Sequence, residues 1–297
     1  MNRSAAAKTS ASRHPPVRRT RPGAVSVLAL AVGLAGPLQG AARADAGVPV
    51  LIYHQIVTDG TPAGETVIAL DRFREQMDHL AAQGYKTLSI DELRDYLEGK
   101  RRIPPKSVVL TFDDGWKNVL NAVPVLESHG FKASFWIITR KGIGWSNLEW
   151  SDIQALDAHP LFEVGSHTAS HPWDPQDNLV TWVDGRNPGK GAREAIAELQ
   201  MSRADLEQKL GRSVDVLAWP CGWYNDELLR MAQHAGYRAT FTVEEGLNRP
   251  GTDPMRIKRV FIDCACSLKE FETSVGTGSY QVCQKESAPS LGNSPYR

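Results

Sequence analysis

Residues 107–115 read SVVLTFDDG. Apolar and β-branched side chains at residues 108–112 are typical of a strand buried on both faces, as found in parallel sheets. Two carboxylates, Asp113 and Asp114, follow where the strand leaves the core. Adjacent acids repel, so this placement is costly unless a cation binds one of them or their pKa values are split. The alternative is an Asp-Gly turn in which one aspartate caps the next helix.

Similar strand-like segments recur along the chain, each followed by a helix-like pattern. The strand-like segments are 48–54, 107–112, 133–139, 162–166, 214–219, 238–243 and 256–262. Helices are indicated by apolar residues at three-to-four spacing, as in Phe73, Met77 and Leu80, in Val119, Val123 and Leu126, and in Ile196, Leu199, Leu206 and Leu210. This alternation predicts an α/β fold with a parallel sheet, closed or open. Residues 172–191 are rich in Pro, Gly, Asp and Asn and are predicted to form a loop.

Two histidines follow another strand pattern. Residues 165–172 read GSHTASHP, and the four-residue spacing of His167 and His171 predicts that both imidazoles meet on a helical turn. Neutral imidazoles together with a carboxylate are a ligand set suited to zinc. A pair of histidines alone more often lies on the polar surface of a protein than in a metal site. In an α/β barrel, however, the strand ends share one face, and this pair would lie near Asp113 and Asp114.

Two further strand ends carry candidate residues. After residues 214–219 the chain reads PCGW, a turn that can direct a backbone N–H, such as that of Cys221, toward an oxyanion. Taken alone, it is an ordinary turn. His54 ends the first strand pattern, where it is either a proton donor or a hydrogen-bonded strand-end residue.

The first 44 residues have the composition of an export signal. They contain seven Lys or Arg and no acid, an apolar run over residues 24–38 that is too short to span a bilayer, and small residues at Ala42 and Ala44. We therefore expect a signal peptide at 1–44, one catalytic domain at 45–275 and a flexible tail at 276–297. The mature protein would be exported to the periplasm or cell surface by general secretion, without stable membrane insertion.

Charge and cysteine content limit the partners and the compartment. Residues 45–297 carry 27 Lys or Arg and 34 Asp or Glu, a net charge of −7, which argues against a nucleic-acid partner. An oxidising compartment would permit one or two disulfides among Cys221, Cys264, Cys266 and Cys283. Cys264 and Cys266 would share a strand face, so either could reach Cys283, and the pairing stays open.

Taken together, these motifs resemble the polysaccharide deacetylases of the NodB-homology type, carbohydrate esterase family 4, over residues 48–262. The resemblance implies a single domain with an irregular (β/α) barrel. Residues 111–114, TFDD, are similar to the first family motif, in which the first aspartate (Asp113 here) is the general base and the second (Asp114) binds metal.

The second family motif is matched by residues 166–171, SHTASH, whose histidines complete the metal triad. The resemblance implies that Asp114, His167 and His171 hold a divalent ion, with Zn²⁺ expected and Co²⁺ or Ni²⁺ as alternatives. The ion would polarise the acetamide carbonyl, and Asp113 would deprotonate the attacking water.

The third motif departs from the family pattern. Residues 218–222, AWPCG, lack the usual leading Arg and the aromatic residue after Pro. Cys221 still offers its backbone N–H to the oxyanion, and we expect Trp219, Pro220 and Trp223 to bind substrate. Arg256 or Arg259 could replace the missing Arg beside the base, although a plain surface strand explains them equally well.

The usual late catalytic histidine is also absent, because no histidine follows His234. Tyr53-His54 matches an N-terminal Tyr-His motif in one branch of the family, whose histidine is the acid in a permuted barrel. That branch includes exported biofilm poly-β-1,6-N-acetylglucosamine deacetylases and commonly has Ala-Trp-Pro in the third motif. Both departures therefore indicate that branch.

The implied activity is hydrolytic deacetylation of N-acetylglucosamine units in an extracytoplasmic bacterial polysaccharide, with the polymer as partner and protein partners left open. Peptidoglycan or chitin-type β-1,4 chains are the alternative substrates. A non-catalytic glycan-binding or export-scaffold protein is the alternative of another class. A binder needs neither a base nor an acid, so the complete set of aspartates and histidines favours the enzyme.

Overall fold

The computed structural model describes residues 47–58, 64–140, 147–262 and 266–281. The predicted signal peptide at 1–44, most of the predicted tail, and Cys264 and Cys283 lie outside these residues. Among the described residues, no helix is long and apolar enough to cross a membrane. Cys266 forms a disulfide, whereas Cys221 is a buried free thiol.

The chain alternates strands and helices, as the sequence predicts. The strands are β1 (Val50–Tyr53), β2 (Gln55–Val57), β3 (Val67–Ala69), β4 (Lys86–Thr87), β5 (Ser107–Phe112), β6 (Ala133–Ile137), β7 (Phe162–Ser166), β8 (Trp173–Asp174), β9 (Asp177–Asn178), β10 (Val216–Ala218), β11 (Ala239–Phe241) and β12 (Val260–Phe261). The helices are α1 (Leu70–Ala82), α2 (Ile90–Leu97), α3 (Val123–His129), α4 (Trp150–Ala158), α5 (Leu179–Val183), α6 (Ala192–Leu210), α7 (Asp226–His234) and α8 (Leu268–Thr277). Short 3₁₀ helices cover Lys117–Ala122, Pro220–Gly222 and Pro254–Arg256.

The main sheet is parallel, which confirms the predicted α/β class. Its strand order is β11-β10-β7-β6-β5-β1-β12, with β4 also pairing to β5. A single parallel bridge, Phe241 to Ile257, links the end of β11 to the segment before β12. The sheet therefore curls until its two edges approach each other.

The two faces of β5 show how the sheet separates two core regions. Val108, Leu110 and Phe112 pack in a core cluster with residues of α1 and α3, whereas Val109 belongs to a second cluster on the opposite face. In this second cluster Trp136 of β6 lies 4.8 Å, centroid to centroid, from Phe241 of β11, although β7 and β10 separate the two strands. This contact is possible only because the sheet is curled, so the second cluster lies on its concave side.

One glycine is required by this inner packing. A Cβ atom on Gly165 would lie 2.2 Å from the ring of Trp136. Gly165 therefore lets β7 pass close to the indole and continue into the histidine-bearing loop.

The segment between Pro172 and Gly191 differs from the prediction of a loop. It forms the antiparallel hairpin β8–β9 and helix α5. Asn178 caps α5 through a reciprocal pair of hydrogen bonds with Thr181, and Leu179 and Trp182 are buried in a cluster with residues of α6. The prediction of a loop was wrong because it followed the polar composition of the segment. It overlooked a short apolar pattern that has its own N-terminal cap. At the C-terminal end, α8 continues to Thr277, past the predicted start of the tail.

Candidate active site

The first site loop follows β5 and carries both aspartates into a buried position. Asp113 and Asp114 are 4% and 6% exposed. The Asp113 N–H donates to the Tyr53 carbonyl of β1 at 2.8 Å, so the loop continues the pairing of the two strands. Asp114 then turns away with a φ of 71°.

A buried guanidinium holds Asp113. Arg259 donates from Nη1 to Oδ1 at 2.7 Å and from Nη2 to Oδ2 at 2.8 Å, and its own Nε donates to the Thr242 carbonyl at 2.8 Å. Burial raises the pKa of Asp113, but the charges of Arg259 and His167 and the Arg259 hydrogen bonds outweigh it, so the pKa lies below its ordinary value. Of the two predicted arginines, Arg259 therefore replaces the missing one, whereas Arg256 pairs with exposed Asp226.

Asp114, His167 and His171 converge on one point. Asp114 Oδ1 lies 3.3 Å from His167 Nε2 and 3.5 Å from His171 Nε2, and one ligand atom from each residue lies within 4.8 Å of the others. The His167 Nδ1 atom is 2.9 Å from the Ala218 carbonyl, which makes Nδ1 the protonated nitrogen and directs the Nε2 lone pair toward Asp114.

These three residues fit a divalent metal. Asp114 Oδ1 is buried and has no hydrogen-bond partner within the described part of the chain, which is costly unless a cation binds there. One carboxylate and two imidazoles are a common zinc ligand set. Burial raises the pKa of Asp114, but the neighbouring imidazoles of His167, His54 and His171 lower it overall, so it is ionised.

The two histidines carry different pKa shifts. Burial lowers the pKa of His167, but the neighbouring carboxylates of Asp114 and Asp113 raise it overall. Burial and the charge of His167 lower the pKa of His171 to about 4, so this imidazole is neutral at neutral pH, as a metal ligand must be.

The histidine loop is not the predicted helical turn. Thr168 and His171 have φ values of 63° and 52°, and the loop is held by hydrogen bonds from the Thr168 N–H to Ser166 Oγ and from the His171 N–H to Thr168 Oγ1, both 3.1 Å. Glu198 of α6 accepts hydrogen bonds from the Ser170 N–H and hydroxyl. The imidazoles are thus 4.7 Å apart, centroid to centroid, without a helix.

Backbone strain concentrates at this site. Within the described residues, the non-glycine residues with positive φ are Asp114, Thr168, His171 and Cys221. All four lie in the three loops that follow β5, β7 and β10. A β-branched threonine is a clear outlier there, and such strain costs about 1–3 kcal/mol per residue. The surrounding hydrogen bonds and packing must offset that cost.

His54 and Cys221 complete the pocket. A cavity of about 10 Å³ is lined by residues that include His54, Asp113, His167, His171 and Cys221. His54 is 4% exposed, and burial lowers its pKa although the charges of Asp114 and Asp113 act in the opposite direction. Burial and the same two charges raise the pKa of the Cys221 thiol to about 12, so it is not a thiolate.

The predicted substrate-binding residues occupy different environments. Trp219 has no exposed surface and packs in a core cluster that includes Leu228 of α7, so it cannot serve as a platform for a sugar ring. Pro220 is also buried. Trp223 is half-buried and lines a cleft of about 570 Å³, here named the side cleft, between residues 175–186 and residues 222–226.

Sequence reasoning missed two residues that contact Asp114. The Trp116 indole N–H donates to Asp114 Oδ2 at 3.0 Å, and the Asn147 side-chain amide donates to the Asp114 carbonyl at 3.1 Å. An indole donor two residues after a candidate metal ligand was the available signal for Trp116. The sequence contained no such signal for Asn147, because this residue lies 33 positions from Asp114 in the chain.

Comparison with known proteins identifies a family domain within the chain. Residues 100–240 match the family described as Polysaccharide deacetylase. The chain is 27% identical to the poly-beta-1,6-N-acetyl-D-glucosamine N-deacetylase of Escherichia coli over 78% of its own length and 39% of that protein. It is also 27% identical to the protein of that name from Staphylococcus epidermidis, over 68% of this chain and 69% of the relative.

A solved structure shares the fold. The structure of IcaB from Ammonifex degensii superposes with a TM-score of 0.67 and 29% identity, covering 78% of this chain and 97% of the other. The predicted barrel type is thereby confirmed. Asp113, Asp114, His167 and His171 lie within the matched residues. Residues 100–240 therefore form a polysaccharide deacetylase domain of the NodB-homology type, and the homologues of this domain are hydrolases that act on amide C–N bonds.

Proposed function

We propose that this chain removes acetyl groups from N-acetylglucosamine units of an exported bacterial polysaccharide, and that the polymer is poly-β-1,6-N-acetylglucosamine. One observation carries the proposal: the two histidines of a buried carboxylate and histidine triad line one small cavity together with ionised Asp113 and buried His54. Two relatives are named for this substrate, and this supports the choice of linkage.

Asp114, His167 and His171 would hold a divalent ion, with Zn²⁺ as the proposed metal. When bound, the ion supplies Lewis-acid polarisation of the acetamide carbonyl. Three protein ligands leave a position open for substrate, which distinguishes a catalytic zinc site from a closed structural one with four.

Asp113 would take the proton of the attacking water. Its lowered pKa keeps it ionised at neutral pH, and the paired hydrogen bonds from Arg259 fix the carboxylate plane. Arg259 also limits the basicity of the carboxylate, so Asp113 acts by position more than by proton affinity.

The tetrahedral oxyanion would accept a hydrogen bond from the Cys221 N–H. His54 would then protonate the departing amine. Its lowered pKa makes the neutral imidazole the resting form at neutral pH, so it must first gain a proton, and the step balances if the proton that Asp113 takes from the attacking water passes to His54 in the cavity that both residues line. The carboxylates of Asp113 and Asp114 favour that charged form.

We also propose that residues 1–44 direct export. The disulfide at Cys266 supports an oxidising compartment. Mass spectrometry of protein secreted by its native host should find Asp45 at the N-terminus. An N-terminus upstream of the apolar run would contradict cleavage at this site.

The decisive experiment measures acetate release from three purified polymers: β-1,6-linked poly-N-acetylglucosamine, β-1,4-linked chitin oligomers and peptidoglycan. Each is tested with native protein, with protein treated with a chelator, and with treated protein after addition of Zn²⁺ or Co²⁺. We expect release from the β-1,6 polymer, loss with chelator and recovery with metal. Preference for a β-1,4 polymer would reassign the linkage, and full activity without metal would contradict the mechanism.

A further inference from the structure

One face of helix α6 carries a row of three polar side chains. Glu198 and Ser202 are 5% and 0% exposed, and Asp205 is half-buried. Their spacing of four and then three residues places all three on one side of the helix. Buried polar groups are nearly always hydrogen-bonded, so the partners of these side chains indicate what the row holds in place.

Glu198 holds the loop that carries the two histidines. Its Oε1 atom accepts hydrogen bonds from the Ser170 N–H and from the Ser170 hydroxyl, the latter at 2.9 Å. Ser170 directly precedes His171 in the chain. A contact at Ser170 therefore fixes the backbone from which the His171 imidazole projects.

Ser202 acts at the start of the same loop. Its Oγ lies 2.7 Å from Ser166 Oγ, which also accepts the Thr168 N–H at 3.1 Å. Ser166 directly precedes His167, and the His167 Nδ1 atom lies 2.9 Å from the Ala218 carbonyl. His167 is therefore held both through the backbone beside it and through its ring.

Asp205 acts through the neighbouring loop, which follows β6. Its Oδ2 atom accepts hydrogen bonds from the Thr139 hydroxyl at 3.0 Å and from the Arg140 Nε–H at 3.2 Å. The Thr139 N–H donates to the Thr168 carbonyl at 3.3 Å, and the Arg140 N–H donates to the Ala169 carbonyl at 2.7 Å. All three members of the row thus hold the histidine loop, directly or through one neighbour.

The histidine loop needs such support because its backbone is strained. Thr168 and His171 have φ values of 63° and 52°, which side chains with a Cβ rarely adopt. Such conformations persist only where the surroundings impose them. The hydrogen bond from the His171 N–H to Thr168 Oγ1 lies within the loop and cannot orient the loop relative to Asp114. Glu198 lies outside the loop, on a helix of 19 residues, and can do so.

We propose that Glu198 is a positioning residue for the metal. By holding Ser170 against α6, it places the His171 imidazole where this ring shares an ion with the other two ligands. Glu198 itself is no ligand, because the described residues whose ligand atoms lie within 4.8 Å of one another are Asp114, His167 and His171. The inference rests on the metal site of the proposed function. Loss of Glu198 should therefore weaken metal binding and alter the ligand geometry in a protein that still folds.

Two substitutions distinguish hydrogen bonding from space filling. Glu198→Gln keeps a side-chain oxygen that can accept from both Ser170 donors, whereas Glu198→Met keeps the unbranched chain and offers only a weakly accepting sulfur. If the hydrogen bonds position His171, Glu198→Met should lose about 10- to 100-fold in zinc affinity, the range for lost support of a metal ligand, and Glu198→Gln should lose less. A space-filling role predicts wild-type affinity in Glu198→Met.

Ser170→Ala tests the same contact from the other side. It removes the hydroxyl donor and keeps the N–H, so zinc affinity should fall by about two- to tenfold, the range for one hydrogen bond. Combined with Glu198→Met it should cause no further loss, because both changes break one contact and the effects of contacting residues do not add. If Glu198→Met does not fold, Ser170→Ala and Glu198→Gln still test the inference.

Zinc affinity is measured by competition with a chromogenic chelator, the Co²⁺ absorption spectrum reports the ligand geometry, and circular dichroism reports folding. Glu163→Gln is the matched control for the change of a buried carboxyl group. Glu163 lies on β7, the strand that leads into the histidine loop, but its partners, the Ile90 N–H and the Ser134 hydroxyl, lie at the amino end of that strand. Its zinc affinity and Co²⁺ spectrum should equal those of wild type.

The outcomes separate this inference from the function. Wild-type zinc affinity in Glu198→Met or in Ser170→Ala, equal losses in Glu198→Gln and Glu198→Met, or additive losses in the double variant would each overturn the role of Glu198. Zinc binding and acetate release by wild type would then still support the function. Absence of zinc binding by wild type would overturn the metal site and this inference with it.

Discussion

The two ends of the sheet bury acidic side chains with opposite electrostatic results. At the carboxyl end of β5, Asp113 is buried and its pKa is lowered, because Arg259 and His167 surround it. At the amino end of β7, Glu163 is largely buried and its pKa is raised by burial and by the charge of Asp91. Its hydrogen-bond donors are neutral: the Ile90 N–H at 2.9 Å and the Ser134 hydroxyl at 3.2 Å.

The difference shows that burial alone does not identify a reactive acid. Burial acts in the same direction on both groups, and the partners decide which form is stable. Glu163 caps the start of α2 and ties it to the sheet, whereas Asp113 faces a cavity beside three histidines. We therefore expect substitutions at the carboxyl end to remove chemistry and substitutions at the amino end to change stability.

The largest effect is expected for His167→Ala. Losing one of the three proposed ligands would leave too few donors to hold the metal, so the variant should be metal-poor and inactive. Metal content by atomic emission and acetate release measure the two losses. His129→Ala, a surface histidine paired with Asp78, should behave as wild type. Stoichiometric metal in His167→Ala would mean that the ligands lie elsewhere.

Asp113→Asn should keep the metal and slow turnover by about two to four orders of magnitude, the usual contribution of a general base. It also leaves the buried Arg259 without its counter-charge, a loss of about 3–5 kcal/mol of stability. The double variant Asp113→Asn with Arg259→Met should recover stability but not activity. Recovered activity in the double variant would reassign the base.

His54→Ala should depend on the leaving group. Loss of the proposed acid should reduce the rate on an N-acetyl sugar by about two to four orders of magnitude. An aryl acetate should be affected much less, because a phenolate leaves without a proton. Metal content and melting temperature are measured in parallel. Equal losses on both substrates, or none, would make His54 structural.

The smallest effect is expected for Glu163→Gln. The folded pKa lies above its ordinary value of 4.5, so the folded protein binds the proton more tightly than the unfolded chain. Stability contributed by this group is therefore present below about pH 4.5 and is lost as pH rises through the folded pKa. Gln cannot ionise, so the melting temperature of the variant should change less between pH 4 and 7, with unchanged acetate release. A loss of acetate release in this variant would show that the amino end of the sheet also contributes to activity, against the expectation that substitutions there change only stability.

The sequence was informative where polar residues interrupt an apolar pattern. Asp113, Asp114, His167 and His171 each follow a strand, and parallel strands bring their ends to one edge. The choice between Arg256 and Arg259 was beyond sequence, because it depends on the position of β12 beside β1. Whether Trp219 faced substrate or core was equally open, since an aromatic residue after a strand can point either way. Strain at Thr168 and His171 follows from tertiary contacts that local spacing does not contain.

The pairing of Arg259 with Asp113 joins residues that are 146 positions apart in the chain. β1 pairs on one side with β5 and on the other with β12, so the first and last strands must meet before this ion pair exists. Such distant contacts slow folding, because chain entropy is lost before they form. A nascent chain that emerges N-terminus first would already contain both aspartates and both histidines of the site before Arg259, the partner of Asp113, is synthesised. Catalytic competence should therefore be among the last properties acquired, after the chain has been completed.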